Sequence, residues 1–246
     1  MRKFGLIGYP LKHSFSKKYF TAKFEKEGLI GNQYDLYEIE EVSMIKEVLD
    51  NNPALVGLNV TIPFKEQVIP YLDELEEGCR EIGAVNTIKI AKGKLMGYNT
   101  DYIGFKESLI NWLPEKTTKA LILGSGGACR AVKQALKDLG IPFFVVSRTK
   151  TNDSERIVYG DLDGQLVEDY PLIINTTPLG TYPNMMEMPE FPIHLLTAKH
   201  RVYDLIYNPE ETRLMQSARE KGALVKNGLE MLHLQAEAAW EIWTRE

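Results

Sequence analysis

Cysteine is scarce in this chain. Cys79 and Cys129 are the only two in 246 residues. No disulfide framework is on offer, and a chain of this length buries enough surface to fold without one. The pair reads as two reduced, buried thiols of a cytoplasmic protein. Histidine is nearly as thin: four residues, scattered, without the spacing of ligands, so no metal is expected. Long apolar runs are missing too. The longest hold a handful of residues, as at 143–146, against the ~20 that a membrane-spanning helix needs. The apolar patch after Met1-Arg2-Lys3 ends at Pro10, too short for a signal peptide. Positive charge is not in excess, with 29 Lys and Arg against 34 Asp and Glu. The composition therefore points to no nucleic acid and no membrane as partners. Internal repeats and low-complexity stretches are also lacking.

What remains is an ordinary globular mix, 44% hydrophobic and 26% charged. Short β-rich runs alternate with helical stretches. Strands are predicted at 4–8, 33–40, 55–61, 85–90 and 94–98, with helices at 16–27, 42–49 and 73–81. A helix over 102–112 then leads to strands at 120–123, 143–147, 156–159, 172–175, 202–205 and 224–226. Helices are predicted at 128–139 and 229–243. The fold class is α/β, with two α/β domains. The first spans 1–101 and takes back the C-terminal helix, 229–246. The second spans 102–228 and reads as a doubly wound, Rossmann-like parallel sheet.

A glycine cluster opens the second domain. Gly124, Ser125, Gly126, Gly127 and Ala128 follow an apolar strand and start a helix. Gly124 suits the tight turn, Gly126 admits a pyrophosphate to the backbone, and the helix start offers free N–H groups to it. Cys129 holds the third fingerprint position and is small enough for close packing. A plain strand-to-helix turn uses the same glycines, so the flanking strand, helix and further strands carry the dinucleotide reading. The next strand ends in Ser147-Arg148-Thr149-Lys150, with no acid at its tip. Arg there suits a 2′-phosphate, so NADP is favoured over NAD. The bland alternative for Arg148 and Lys150 is a solvated turn.

The first domain offers polar side chains at strand ends. Asn59 and Thr61 share one strand face, and Lys65 rises from the turn that Pro63 begins. A wet strand face and a surface lysine would read the same way. Asn86 and Asp101 sit in further polar clusters, with Asp101 also suited to cap the helix at 102. Gln235 falls within the apolar stripe of Leu232, Ala239 and Ile242, where its amide needs partners, from a ligand hydroxyl or a core backbone group.

Taken in order, these motifs resemble the shikimate dehydrogenase family, nearly end to end. The opening Gly8-Tyr9-Pro10 with His13-Ser14-Phe15-Ser16 is similar to the family's start, and Asn59-Val60-Thr61-Ile62-Pro63-Phe64-Lys65 to its central signature. Gly83-Ala84-Val85-Asn86-Thr87 and Gly97-Tyr98-Asn99-Thr100-Asp101 match as well. So do the glycine cluster, Ser147-Arg148-Thr149, Asn175-Thr176-Thr177-Pro178-Leu179-Gly180, Tyr203-Asp204-Leu205-Ile206-Tyr207-Asn208-Pro209 and Gly228 with Gln235. The resemblance implies an NADP-linked enzyme that interconverts 3-dehydroshikimate and shikimate in aromatic amino acid biosynthesis, working in the cytoplasm as a monomer or homodimer. It implies Lys65 as the catalytic lysine, alone or with Asp101. By the same resemblance Ser14, Ser16 and Tyr207 lie near the substrate carboxylate, and Asn59, Thr61, Asn86, Asp101 and Gln235 bind its hydroxyls. Thr176, Leu205 and Gly228 match the nicotinamide end of the cofactor site, and Ser147, Arg148 and Thr149 the adenosine end.

The chain departs from the family pattern in places. Lys17 stands where the family has Pro, and Ser147 where it has Asn. Only residues 148–155 join two strands of the second domain, where a parallel crossover takes a dozen or more and is usually a helix. A shrunken or missing helix and an open adenine end are expected there. Three other readings compete. A quinate/shikimate dehydrogenase using NAD would prefer an acid in place of Ser147-Arg148. A binding protein without catalysis would not need Lys65 and Asp101. A folate dehydrogenase would not carry Ser14, Ser16 and the 59–65 signature.

Overall fold

The computed structural model describes residues 1–11, 14–113 and 118–245. Lys12 and His13 of the opening motif, and the last residue of the chain, lie outside that set. The chain divides into two compact units, Met1–Thr100 with the segment from Ala236 onward, and Asp101–Gln235. The dividing points are Thr100 and, inside the last helix, Gln235, rather than 101 and the start of that helix.

The first unit is built from β1 (Arg2–Gly8), α1 (Phe15–Lys26), β2 (Asn32–Glu38), α2 (Ile45–Asp50), β3 (Leu55–Val60), β4 (Glu74–Leu75), α3 (Glu77–Ile82), β5 (Thr87–Ala91) and β6 (Lys94–Tyr98). Its mixed sheet runs β2-β1-β3-β5-β6-β4. β1 pairs in parallel with β2 and β3, while β5 is antiparallel to β3 and to its hairpin partner β6. Period-2 alternation sends Leu58 and Val60 of β3 into one core, with Ile7, Phe64 and Ile88. The opposite face meets α1 and the end of the last helix, through Phe4, Phe20, Phe24 and Trp243. Trp243 lies on Gly57, which has no side chain to hold it off, and its indole N–H donates to the Ile88 carbonyl at 2.9 Å. The stretch 73–81, expected to be all helical, begins instead with β4. Glu74 and Leu75 pair with Met96 and Gly97, a partner distant in sequence.

The second unit contains α4 (Thr100–Trp112, from its second residue), β7 (Ala120–Leu123), α5 (Gly127–Asp138), β8 (Phe143–Ser147), β9 (Arg156–Val158), α6 (Gly164–Asp169), β10 (Leu172–Asn175), β11 (Arg201–Asp204), α7 (Arg213–Glu220), β12 (Leu224–Lys226) and the first turns of α8 (Leu229–Thr244). All neighbouring strands are parallel, in the order β12-β11-β10-β7-β8-β9. Strand order reverses between β7 and β10, the place where open α/β sheets bind ligands. β7 and β10 are apolar on both faces because both are covered. One face packs on α4 and α5 through Phe105, Leu109, Val132 and Leu136, and the other on α6 and α7 through Val167, Leu214 and Ala218. The 148–155 connection between β8 and β9 holds turns and no helix. Among the described residues no helix is long and apolar enough to cross a membrane, and no cluster of His, Cys, Asp or Glu could hold a metal ion.

Candidate active site

In the second unit the site lies at the carboxyl ends of the strands. Gly124 closes β7 with a φ of +98°, a conformation that glycine adopts without strain. A Cβ there would stand 2.7 Å from Thr177 Cγ2, so the turn is also sterically tight. At Gly126 and Gly127, by contrast, a Cβ would meet nothing within 4 Å. The backbone at the start of α5 is therefore open to an anion of phosphate size, with Ser125 and Ala128 exposed beside it. Cys129 turns into the core, where burial pushes its thiol up to about 11.

A cavity of about 400 Å³ adjoins this turn, lined by Gly124, Ser125, Gly126, Ser147, Arg148, Tyr159, the 176–179 segment and Met188, Pro189 and Glu190. Ser147 is buried and its hydroxyl donates to the Thr149 carbonyl at 2.8 Å, which shapes the turn that carries Arg148. Thr176 donates through its hydroxyl to the Leu123 carbonyl at 2.8 Å, joining the loop after β10 to the end of β7. Gly228 presses against the Leu205 backbone, and its N–H donates to the Ile206 carbonyl at 3.0 Å. An open glycine turn, an adjoining cavity and a cation at the tip of the second strand suit a dinucleotide phosphate.

A buried carboxylate that the sequence reading passed over ties these loops together. Asp204 is fully buried at the end of β11. It accepts from Asn175 Nδ2 at 3.0 Å, Ile206 N at 3.1 Å and Thr212 Oγ1 at 2.7 Å. Asn175 Oδ1 in turn accepts from the backbone N–H of Thr177 at 3.0 Å and from its hydroxyl at 2.7 Å. Burial lifts the Asp204 carboxyl to about 6, and its hydrogen bonds oppose that rise.

In the first unit, three of the polar residues read from sequence, Ser16, Asn59 and Asn86, fall in one network. Tyr34, which the sequence reading did not single out, donates to Asn59 Oδ1 at 2.7 Å and shares a hydrogen bond with Ser16. Asn59 Nδ2 reaches the Asn86 carbonyl at 3.4 Å and Thr87 Oγ1 at 3.2 Å. Asn86 Oδ1 accepts from the Thr100 N–H at 2.6 Å, and its amide donates to Thr100 Oγ1 at 3.0 Å. Asn86 thus satisfies the first N–H of α4. Asp101 consequently stands in the first turn of α4, a position favourable for an acid, rather than at its cap.

Lys65 is carried on the turn that follows β3. Its carbonyl accepts from Val85 N at 2.7 Å, which ties that turn to the approach to Asn86. Thr61 is anchored through its N–H to the Ile7 carbonyl at 3.0 Å. Ser14 Oγ is buried without a hydrogen-bond partner among the described residues. Tyr207, in the second unit, is 38% exposed. Gln235 is half-buried, as are Leu232 and Ile242 of the apolar stripe; a Cβ at Gly104 of α4 would stand 3.0 Å from the Gln235 Cβ, and Gln235 Nε2 donates to the Leu232 carbonyl at 2.9 Å.

Comparison with known proteins is consistent along the whole chain. The family model for the shikimate dehydrogenase substrate binding domain matches residues 6–88. Shikimate dehydrogenase (NADP(+)) of Aquifex aeolicus is 40% identical over 248 residues, spanning 98% of this chain and 90% of its own. The shikimate 5-dehydrogenase of Thermus thermophilus, solved with NADP(H) and shikimate, superposes with a TM-score of 0.88 at 30% identity, covering 99% of this chain and 94% of that one. The enzyme of Listeria monocytogenes, solved with shikimate and NAD, gives 0.88 at 28% identity, covering 100% and 92%. Similarity that runs from end to end at these identities makes the chain a member of the shikimate dehydrogenase family.

Proposed function

We propose that this protein is an NADP-dependent shikimate dehydrogenase, reversibly reducing 3-dehydroshikimate to shikimate. The observation that carries the reading is the full-length likeness to an enzyme solved with both ligands, joined to an open glycine turn with Arg148 beside it. Gly124, Ser125, Gly126, Gly127 and Ala128 would hold the pyrophosphate. Ser147, Arg148 and Thr149 would hold the adenosine end, and Thr176, Leu205 and Gly228 the nicotinamide end. When bound, the reduced nicotinamide supplies the hydride for the ring ketone.

The protein's own part is to bind, orient and protonate. Lys65 Nζ donates the proton that the forming alkoxide needs, and its charge stabilises that oxygen beforehand. Asp101 orients the lysine and binds a substrate hydroxyl. Ser14, Ser16 and Tyr207 meet the carboxylate. The unpartnered Ser14 hydroxyl supports this, since leaving such a group unsatisfied costs about 1–3 kcal/mol. Asn59, Thr61, Asn86 and Gln235 meet the hydroxyls. Asn59 is preset by Tyr34, so its amide need not reorganise on binding. A polyol suits these groups because an analogue lacking a hydroxyl would leave them unpaired. The first unit is then the substrate domain and the second the NADP domain. Water-soluble ligands suit a cytoplasmic enzyme, working as a monomer or homodimer.

The test is an absorbance assay of nicotinamide reduction that crosses shikimate and quinate with NADP and NAD. Fastest turnover with shikimate and NADP is expected. Turnover with quinate and NAD above that pair would overturn the assignment.

A further inference from the structure

The missing helix between β8 and β9 leaves the adenosine end of the cavity to be walled by other residues. Tyr159, just after β9, is one of them, and Met188, Pro189 and Glu190 form another side. Tyr159 and Met188 both pack on the apolar cluster of Val146, Val167 and Phe191. Glu190 is exposed, yet its backbone is pinned. Pro189 and Phe191 on either side are buried, and Phe191 N donates to the Pro189 carbonyl at 2.7 Å. Arg148 lines the same cavity. The Tyr159 phenol feels both charges, the Glu190 carboxylate raising it and the Arg148 guanidinium lowering it, while burial has the largest effect and takes it to about 12. The phenol therefore stays neutral, between charges of opposite sign.

Those two charges act oppositely on the two cofactors. A phosphate monoester carries about −1.5 to −2 at neutral pH. A cation favours it and a carboxylate disfavours it. A free ribose hydroxyl reverses the preference, since a carboxylate accepts its hydrogen bond. The strand tip where an acid is usually found has none in this chain. The acid stands instead on the loop that carries Pro189 and Phe191.

We propose that Glu190 is a specificity-determining residue that opposes Arg148 at the adenosine end, so that the preference for NADP over NAD is narrower than Arg148 alone would set. The proposal rests on the NADP-linked reading above. Glu190 is exposed and its effect is that of a screened surface charge, a factor of about two to five in affinity.

Calorimetric titrations of NADP, NAD, and the fragments adenosine 2′,5′-bisphosphate and AMP into wild type, Glu190→Gln and Glu190→Lys test it. Glu190→Gln should bind NADP and the bisphosphate about two- to fivefold tighter in low salt, with NAD and AMP unchanged or weaker. Glu190→Lys should move the ratio further the same way. Both shifts should shrink at about 1 M salt, where charges are screened beyond about 3 Å. A ratio of NADP to NAD affinity that is unchanged in both variants, or that moves toward NAD, overturns the proposal while leaving the enzyme assignment intact. Wild type that binds neither dinucleotide overturns both.

Discussion

Lys65 and Asp204 are the two side chains whose chemistry can be tested in isolation. Lys65→Ala should lower turnover by about 10²–10⁴-fold, the usual contribution of a general acid–base group. NADP affinity measured by titration should stay nearly constant. Turnover above a tenth of wild type would assign the proton to another group. Asp204 makes a prediction about stability. Its carboxyl goes from an ordinary 3.8 to about 6 on folding, with burial the main cause. Between those values the folded chain keeps a proton that the unfolded chain has released. Its contribution is therefore fully present below 3.8 and is lost as the pH rises through about 6. At about 1.4 kcal/mol per pH unit, the loss is about 3 kcal/mol. Denaturant unfolding across this window should show that slope in wild type relative to Asp204→Asn. Parallel pH profiles for the two proteins would mean that Asp204 does not titrate there. Asp204 was present in a motif read from sequence, but its burial comes from the packed sheet, and its partner Asn175 lies on the neighbouring strand, distant in sequence. Tyr34 was missed for the same reason, since it meets Asn59 across two strands.

At the level of elements, the turn from β7 to α5 separates two roles of glycine. Gly126 has an ordinary φ of −80° and open space around it. Gly126→Val should leave the melting temperature nearly unchanged and weaken NADP binding at least about tenfold, because the added side chain occupies the pyrophosphate approach. An equal loss of stability would make Gly126 a folding residue. The turn after β8 carries the second prediction. Arg148→Ala should cost about 10–150-fold in NADP affinity, the worth of a charge-assisted bond to phosphate. NAD affinity should barely move, and equal losses for the two cofactors would assign Arg148 to supporting the loop. The helix-free β8–β9 connection was legible from its length alone. The strands of the second unit were legible too, because parallel strands covered on both faces read as unbroken apolar runs. α6 and α7 were not, being short elements whose apolar positions matter only once the sheet is there. β4 was hidden for a related reason: two residues in an acidic stretch become a strand only through pairing with β6. The close packing of Gln235 on Gly104 of α4 is a contact that helical periodicity cannot choose.

Across the whole molecule, the division into two units makes ligand binding separable. The first unit holds the polar network from Ser16 through Tyr34 and Asn59 to Thr100. The second holds the glycine turn, the cavity and the loops tied by Asp204. A ligand that binds only the folded state stabilises it by about 2.7 kcal/mol at a hundred times its dissociation constant. Local opening is suppressed most where the ligand touches. Hydrogen exchange should therefore report two distinct footprints. NADP alone should protect the amides at 124–130, 147–150 and 176–180. Shikimate alone should protect those at 14–20, 59–65 and 86–87. Gln235 belongs to the second unit by its contacts but to the substrate by its proposed role. Protection of 232–236 by shikimate rather than by NADP would support that role. The main-chain ties make the pattern specific: Lys65 is joined to Val85, and Thr176 to Leu123, so each footprint should spread along its own sheet. Protection of the glycine turn by shikimate alone, or of the 59–65 segment by NADP alone, would contradict the assignment of substrate to the first unit and cofactor to the second.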